Sequence, residues 1–168
     1  TGIELEQTTG SIAKLLYPRA NVKIMGYEQS KTPDGFYDLV IGNWPFANIK
    51  IADRRYDRMS PSLHDYFFIK ALDQVRAGGL VVGITSAFSM DGQKNKNIRA
   101  HLARNAELVA AFRLPSGAFE KYAGTKVVTD IIILRKRDLP IMSTTDETWV
   151  QSVPFKTPSG ETINVNQY

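Results

Sequence analysis

The segment of this sequence best suited to chemistry is the tetrapeptide Asn43-Trp44-Pro45-Phe46, which combines an amide, two aromatic rings and a proline. It follows an apolar run over residues 36–41 that predicts a buried strand. Ligands of open parallel sheets bind beyond the carboxyl ends of the strands, so a reactive site is expected here. Asn-X-Pro is also a common turn, and both rings can simply pack in a core. The tetrapeptide by itself leaves both interpretations open.

A second candidate is the polar loop over residues 50–58. Around Tyr56 it carries four basic residues, namely Lys50, Arg54, Arg55 and Arg58. Basic side chains beside a ligand pocket are suited to contacts with nucleic-acid phosphates. A charged loop is also often merely solvated, and Asp53 and Asp57 dilute the positive charge of this one. The loop therefore predicts nucleic-acid contact, with a solvated loop as the alternative.

Strand and helix signals alternate along the chain and determine where these candidates lie. Apolar runs predict strands at residues 2–5, 22–25, 36–41, 80–85, 108–112 and 127–134. Helical spacing predicts a helix from an N-cap at Thr8 to Pro18, one from residue 63 to a glycine cap at Gly78-Gly79, and one over residues 97–104. Such alternation predicts a mostly parallel α/β sheet covered on both faces, whose last two strands form an antiparallel hairpin.

The chain turns polar after residue 137, which predicts an extended tail or a lead into a further segment. We therefore divide the chain into a domain at residues 1–137 and a C-terminal extension or linker at residues 138–168.

Composition narrows the class of protein. With 168 residues, of which 43% are hydrophobic and 23% charged, the chain is typical of one globular domain. The absence of cysteine excludes a disulfide framework and fits a reducing cytoplasm. The two histidines, His64 and His101, lie in predicted helices, and we expect structural roles for them and no metal site. The net charge of +4 permits a nucleic-acid partner, and no apolar run is long enough to cross a membrane.

The tetrapeptide and its neighbours together resemble the N6-adenine-specific DNA methyltransferases, whose catalytic motif Asn/Asp-Pro-Pro-Tyr/Phe follows such a strand. Gly2-Ile3-Glu4, Gly26-Tyr27-Glu28 and the helix from His64 to Gly79 stand in the family's order around it. The resemblance implies a Rossmann-like fold that uses S-adenosylmethionine.

Three later segments sharpen this resemblance. The segments are very like the methylation subunits of type I restriction systems, and they are Phe112-Arg113-Leu114-Pro115-Ser116-Gly117-Ala118-Phe119, Gly124-Thr125 and Thr129-Asp130-Ile131-Ile132. They are closer still to the methylase segments of large helicase–methylase polyproteins of phages and mobile elements. The resemblance covers residues 2–137.

The resemblance implies a role for each residue of the tetrapeptide. The Asn43 side-chain oxygen and the Trp44 backbone carbonyl would grip the two amine hydrogens of adenine and free the N6 lone pair. Pro45 would fix the backbone so that both oxygens converge. Phe46 would stack on an adenine swung out of the DNA duplex. Trp44 stands where the family has proline, although the implied role needs only its carbonyl.

The resemblance also implies a cofactor site. Glu4, at the end of the first strand, would accept hydrogen bonds from the ribose hydroxyls, with Glu6 as a competitor. Glu28 would accept from the amine of the cofactor adenine, and Tyr27 or Leu5 would pack on its ring. Asn43 lies where cofactor and target meet and belongs to both sites.

In the family, a strand with a glycine-rich cofactor loop precedes the segment at Gly2 and lies between the strands at residues 2–5 and 36–41. We therefore expect this chain to be a piece of a longer cytoplasmic DNA-modification protein of a bacterium or phage, inactive alone, with sequence specificity in another segment or subunit. Two alternatives remain. The same loop can methylate a protein glutamine or an RNA base, or the chain can be a non-catalytic DNA-binding module.

Overall fold

The computed structural model describes residues 1–47, 49–120 and 127–168. Its strands are β1 (Gly2–Glu4), β2 (Val22–Ile24), β3 (Tyr37–Asn43), β4 (Val75–Ser86), β5 (Ala106–Leu114), β6 (Thr129–Lys136), β7 (Ser152–Lys156) and β8 (Thr162–Asn166). Its helices are α1 (Gln7–Leu16), α2 (Leu63–Gln74), α3 (Phe88–Asp91) and α4 (Lys96–Asn105). Short 3-10 turns lie at Tyr27–Gln29, Asp57–Met59, Gln93–Asn95 and Thr148–Val150. The predicted Gly124-Thr125 motif lies outside the described residues.

The strands form three sheets. A four-stranded sheet has the order β3-β4-β6-β5, in which β3 and β4 are parallel while β6 is antiparallel to both β4 and β5. Strands β1 and β2 form a separate parallel pair, and β7 and β8 form an antiparallel hairpin. The predicted α/β fold is confirmed, and the predicted antiparallel pair of strands is β5 and β6. Where the sequence predicted a mostly parallel sheet, the four-stranded sheet is mixed, with one parallel and two antiparallel pairings.

The core lies between the four-stranded sheet and helices α2 and α4. Helix α2 begins at the N-cap Ser62, whose side chain accepts from the backbone N–H of Asp65. Its apolar face buries large side chains against the sheet, among them Tyr66, Phe68, Ile69 and Leu72. This packing fixes α2 across β3 and β4, at whose carboxyl ends the candidate site lies.

Helix α1 begins differently from the sequence prediction. The predicted N-cap was Thr8, but the cap is Glu6, whose carboxylate accepts from the backbone N–H groups of Thr8 at 2.9 Å and Thr9 at 2.6 Å. These hydrogen bonds hold the pKa of Glu6 at about 2. The carboxylate of Glu6 is thus used by the helix, and Glu4 is left as the acid at the end of β1.

The predicted glycine cap of α2 is wrong. The helix ends at Gln74, and β4 begins at once with Val75, which is fully buried. The ammonium of Lys136 donates to the carbonyls of Asp73 at 3.0 Å and Val75 at 2.8 Å. Because this side chain from β6 satisfies carbonyls at the helix end, no glycine is needed there.

The predicted extended tail after residue 137 is also wrong, because the chain folds back onto the domain. Trp149 and Val150 are 3% and 2% exposed, respectively. The buried guanidinium of Arg99 donates to the Val150 carbonyl at 3.1 Å, and the amide of Asn166 donates to the Met90 carbonyl at 2.8 Å. The division of the chain at residue 137 stays a prediction.

Candidate active site at the end of strand β3

The tetrapeptide Asn43–Phe46 begins at the last residue of β3. Asn43 pairs with Ile84 of β4, and the backbone N–H of Trp44 donates to the Ile84 carbonyl at 2.9 Å. The chain leaves the sheet after this bond. Among the described residues, none forms a hydrogen bond with the exposed side chain of Asn43. The amide of Asn43 is therefore held by its backbone and is free to bind a ligand.

Two cavities lie on either side of this loop. The first, which we call the inter-strand cleft, has a volume of about 510 Å³, separates β1 from β3, and is lined by Glu4, Tyr27, Asn43 and Trp44 among others. The second, which we call the outer pocket, has a volume of about 780 Å³ and is lined by Phe46 together with residues of α2 and of the segment after β4. Asn43 and Phe46 thus face different cavities, and the loop divides them.

The inter-strand cleft brings together three residues that the sequence predicted for the cofactor. Glu4 lies on the β1 wall and its carboxylate accepts from the N–H of Glu6 at 2.9 Å. On the floor, the ring of Tyr27 stacks on Phe67 with centroids 4.9 Å apart, and its hydroxyl donates to Gln74 at 2.7 Å. Burial raises the pKa of Tyr27. With Asn43 on the β3 wall, the cleft offers a carboxylate, an aromatic platform and an amide.

Two other predicted cofactor residues lie elsewhere. Leu5 is 75% exposed and is not part of the cleft wall. Glu28 lines a different cavity, with Lys31, Asp34 and Arg55. The turn that carries Tyr27 and Glu28 is fixed by the buried ammonium of Lys70, which donates to the Glu28 carbonyl at 3.1 Å and to Asp53 at 3.1 Å. This turn therefore presents Tyr27, and not Glu28, to the cleft.

Trp44 is part of the hydrophobic core. Its side chain is 5% exposed, and its ring contacts Phe67 and Phe68 with centroids 5.4 and 5.6 Å away. The ring lies against two glycines, Gly42 and Gly83, at both of which an added Cβ would overlap the indole. The indole nitrogen is buried and has no hydrogen-bond partner among the described residues. Trp44 is therefore held in place by side-chain packing.

We predict that Gly42→Ala destabilises the protein, because the added Cβ would collide with three ring atoms of Trp44. Overpacking of this kind costs about 1–3 kcal/mol. Urea denaturation should show the loss in the free energy of unfolding, and tryptophan fluorescence should report displacement of the indole. Gly2→Ala is the matched control, since its Cβ would meet Val22 at an ordinary 3.6 Å. Equal stability of both variants would contradict this account of Trp44.

The outer pocket surrounds the exposed ring of Phe46. The imidazole of His64 lies 5.7 Å from this ring, between centroids. Beside it, Asp65 accepts from Ser62 at 2.7 Å and from Asn95 at 2.9 Å, and burial raises the pKa of Asp65. These bonds join the start of α2 to the segment before α4 and fix the far wall of the pocket. The pocket is open, has the ring of Phe46 at its edge, and is large enough for a flat heterocycle.

The four basic residues of the loop at 50–58 do not act together. Lys50 lines the outer pocket and donates to Ser60 at 2.9 Å. Arg55 points away, donating to both oxygens of Asp34 at 2.8 and 2.7 Å and pairing with Asp73 at 2.7 Å. Hydrogen bonding from Arg55 lowers the pKa of Asp34. Arg54 and Arg58 are exposed and line neither cavity.

Sequence reasoning missed the residues that β4 and its following segment bring to the outer pocket. Ser86, Phe88 and Lys94 all line it. These residues could have been expected near the site, because they follow the strand predicted at residues 80–85 and the carboxyl ends of parallel strands lie at the same edge of a sheet. In the described ranges, no group of three or more acids, histidines or cysteines is placed to hold a metal ion. The helices of those ranges are all too short or too polar to span a membrane.

Comparison with known proteins places this geometry in context. No protein-family model matches the chain. Defense against restriction protein B of Escherichia phage P1 is 34% identical over 141 residues, which cover 81% of this chain and 6% of that protein. The chain therefore matches only a small part of this much longer relative.

Solved structures share the fold. A modification subunit of a putative type I restriction enzyme from Vibrio vulnificus matches with a TM-score of 0.68 and 14% identity, over 99% of this chain and 46% of that one. A putative class I S-adenosylmethionine-dependent methyltransferase from Listeria monocytogenes gives 0.65 and 16%, over 84% and 46%. The M protein of the type I restriction enzyme EcoKI gives 0.61 and 19%, over 80% and 30%. The chain thus has the fold of class I methyltransferases and spans less than half of these chains.

Proposed function

We propose that this chain supplies the catalytic loop of an S-adenosylmethionine-dependent methyltransferase that acts on N6 of adenine in DNA. The observation that carries the proposal is the position of Asn43–Phe46, at the carboxyl end of β3 and between the inter-strand cleft and the outer pocket. A methyl transfer needs two adjoining sites with polar acceptors where they meet. On a class I methyltransferase fold, this loop supplies that junction.

Asn43 and Trp44 would act on the amine of the target. The N6 lone pair of adenine is delocalised into its ring, which makes the amine a poor nucleophile. The Asn43 side-chain oxygen and the Trp44 carbonyl would each accept one amine hydrogen, which favours a tetrahedral nitrogen and frees the lone pair. Pro45 fixes φ between the two gripping residues and Phe46. The packed indole of Trp44 holds the loop from inside, so the missing family proline does not argue against activity.

Phe46 would receive the flipped adenine. Its ring is 43% exposed at the edge of the outer pocket, with His64 as its neighbour. Base–aromatic stacking contributes about 1–3 kcal/mol per base. Lys50, in the same pocket, and the exposed Arg54 and Arg58 are the proposed phosphate contacts, while Arg55 is already bound to Asp34 and Asp73.

The residues of the inter-strand cleft fit one half of the cofactor. Glu4 is suited to ribose hydroxyls, and the Tyr27–Phe67 stack is suited to the adenine ring. When bound, S-adenosylmethionine supplies an electrophilic methyl group. No glycine-rich turn among the described lining residues offers backbone donors to the methionine carboxylate.

We propose that a further strand fills this gap. Among the described residues, no strand pairs with the edges of β1 and β3 that face each other across the cleft. Apolar side chains of β3 are exposed there, Leu39 at 47% and Ile41 at 68%. A strand that carries the glycine-rich loop would pair with both edges and cover these side chains. We call the longer polypeptide that supplies it the extended protein. The phage relative is much longer than this chain, which matches 6% of it.

The experiment that tests the proposal offers the extended protein three substrates in parallel, each with radiolabelled S-adenosylmethionine. We expect label in DNA, and mass spectrometry of the digested DNA should identify N6-methyladenine. Label in RNA or in a protein glutamine instead would change the substrate. DNA binding without methylation of any substrate would favour a non-catalytic module. Mapping the modified adenine also shows whether specificity requires a separate subunit.

A further inference from the structure

Phe88 is an exposed aromatic side chain at the rim of the outer pocket. It lies two residues after the end of β4, and its side chain is 74% exposed. Phe46 lines the same pocket from the β3 side. The two rings thus come from the carboxyl ends of neighbouring parallel strands and border one cavity. Lys50 and Lys94 line the same pocket.

The backbone that carries Phe88 is rigid. The guanidinium of Arg99, 2% exposed, donates to the Ser89 carbonyl at 3.1 Å and to the Gly92 carbonyl at 2.7 Å. The hydroxyls of Ser89 and Thr85 are hydrogen-bonded at 2.9 Å, and both residues are buried. A turn fixed by so many buried bonds, with its one large apolar side chain left in solvent, presents that side chain in a defined position.

Exposed apolar side chains are common on proteins, so exposure alone assigns nothing. Phe112 of β5 is 55% exposed and lines neither cavity. Phe88 differs from Phe112 in its position, since it lines the pocket proposed for the flipped base together with two lysines suited to phosphates, Lys50 and Lys94. An apolar wedge inserted between base pairs is a known device of DNA-binding proteins.

We propose that Phe88 is a stacking wedge that occupies the duplex where the target adenine has left it. This inference rests on the proposed function. A base that leaves the helix breaks its stacking and its pairing, and the gap favours its return. A ring held rigidly at the pocket rim stacks on the flanking bases and keeps the gap open. Phe46 then binds the displaced adenine. Phe88 thus stacks in the duplex that the adenine has left, and Phe46 stacks on the adenine itself.

The test uses the extended protein and two duplexes around the mapped target adenine. In one duplex thymine stands opposite the adenine, and in the other an abasic site does, which removes the pairing that a wedge must overcome. Phe88→Ala should lower kcat/KM on the paired duplex by about tenfold to a hundredfold. On the abasic duplex the loss in kcat/KM should be less than about threefold, because the target adenine has no pairing partner there to draw it back into the helix. Phe88→Trp should retain activity on both.

Two control variants separate the wedge from other roles. Phe46→Ala should lose activity on both duplexes equally, since the base must still be bound. Phe112→Ala should match the unsubstituted protein on both. Equal loss on the two duplexes by Phe88→Ala, or no loss on either, would overturn the wedge while leaving the proposed function intact. Absence of methylation by the unsubstituted protein would overturn the proposed function, and the wedge with it.

Discussion

Replacing Asn43 by alanine in the extended protein should lower kcat for DNA methylation by about a hundredfold to a thousandfold, the usual effect of removing one preorganised group that acts on the developing charge. The loss is expected in kcat because the amide would act on the amine during the transfer and not in holding the DNA. No residue of the described ranges bonds the Asn43 side chain, so its removal should leave the fold intact. Single-turnover rates at saturating DNA and cofactor measure the effect.

Two further variants make this result specific. Asn43→Asp keeps an acceptor oxygen and should retain measurable activity, as expected for a motif whose first residue is Asn or Asp. Asn21→Ala removes another exposed asparagine whose side chain forms no hydrogen bond among the described residues, and its kcat should equal that of the unsubstituted protein. An unchanged kcat in Asn43→Ala would remove Asn43 from the mechanism and leave the loop without its main acceptor.

The local sequence pattern was sufficient to place Asn43 at the end of a strand. The run over residues 36–41 predicts a strand with a polar group after it, and the structure has that strand as β3. The expectation that this strand is buried is wrong, because Leu39 and Ile41 are 47% and 68% exposed where they line the inter-strand cleft. The burial of Trp44 could not be predicted from the sequence. Its indole packs against Gly42 on β3 and Gly83 on β4, which are forty-one positions apart in sequence. Such pairing of distant glycines is a property of register and not of local composition.

The wrong predictions for the start of α1, the end of α2 and the segment after residue 137 have similar physical causes. Thr8 and Glu6 both have oxygen side chains that can cap a helix, and only the backbone path from β1 decides which one meets the free N–H groups. The glycine cap failed because Lys136, far along the chain, satisfies carbonyls at the end of α2. The tail after residue 137 looked unstructured because its partner, Arg99, is a charged residue in a polar helix, and nothing local indicates that it is buried.

A second large effect is expected on the binding of S-adenosylmethionine in the inter-strand cleft. We expect the 168-residue chain to bind S-adenosylmethionine at least about a hundredfold more weakly than the extended protein does. The cleft contains Glu4 and Tyr27, the residues proposed for the nucleoside half, but its described wall has no glycine-rich turn for the methionine carboxylate. Loss of two or more hydrogen bonds to a charged group, at about 1.5–3 kcal/mol each, accounts for a factor of this size. Calorimetry of both proteins measures it, and micromolar binding by the 168-residue chain would contradict the need for a further strand.

The two acids at the start of the chain provide a matched pair for the same measurement. In the extended protein, Glu4→Gln should raise the Kd for S-adenosylmethionine by about tenfold, because it removes the charged acceptor proposed for the ribose hydroxyls. Glu6→Gln should change it less than about twofold, because the Glu6 carboxylate already accepts from Thr8 and Thr9 at the start of α1. The substitutions are chemically identical and two positions apart, so a general loss of charge near the cleft would affect both. A larger effect at Glu6 would assign the ribose to that residue and would mean that the cap is released when the cofactor binds.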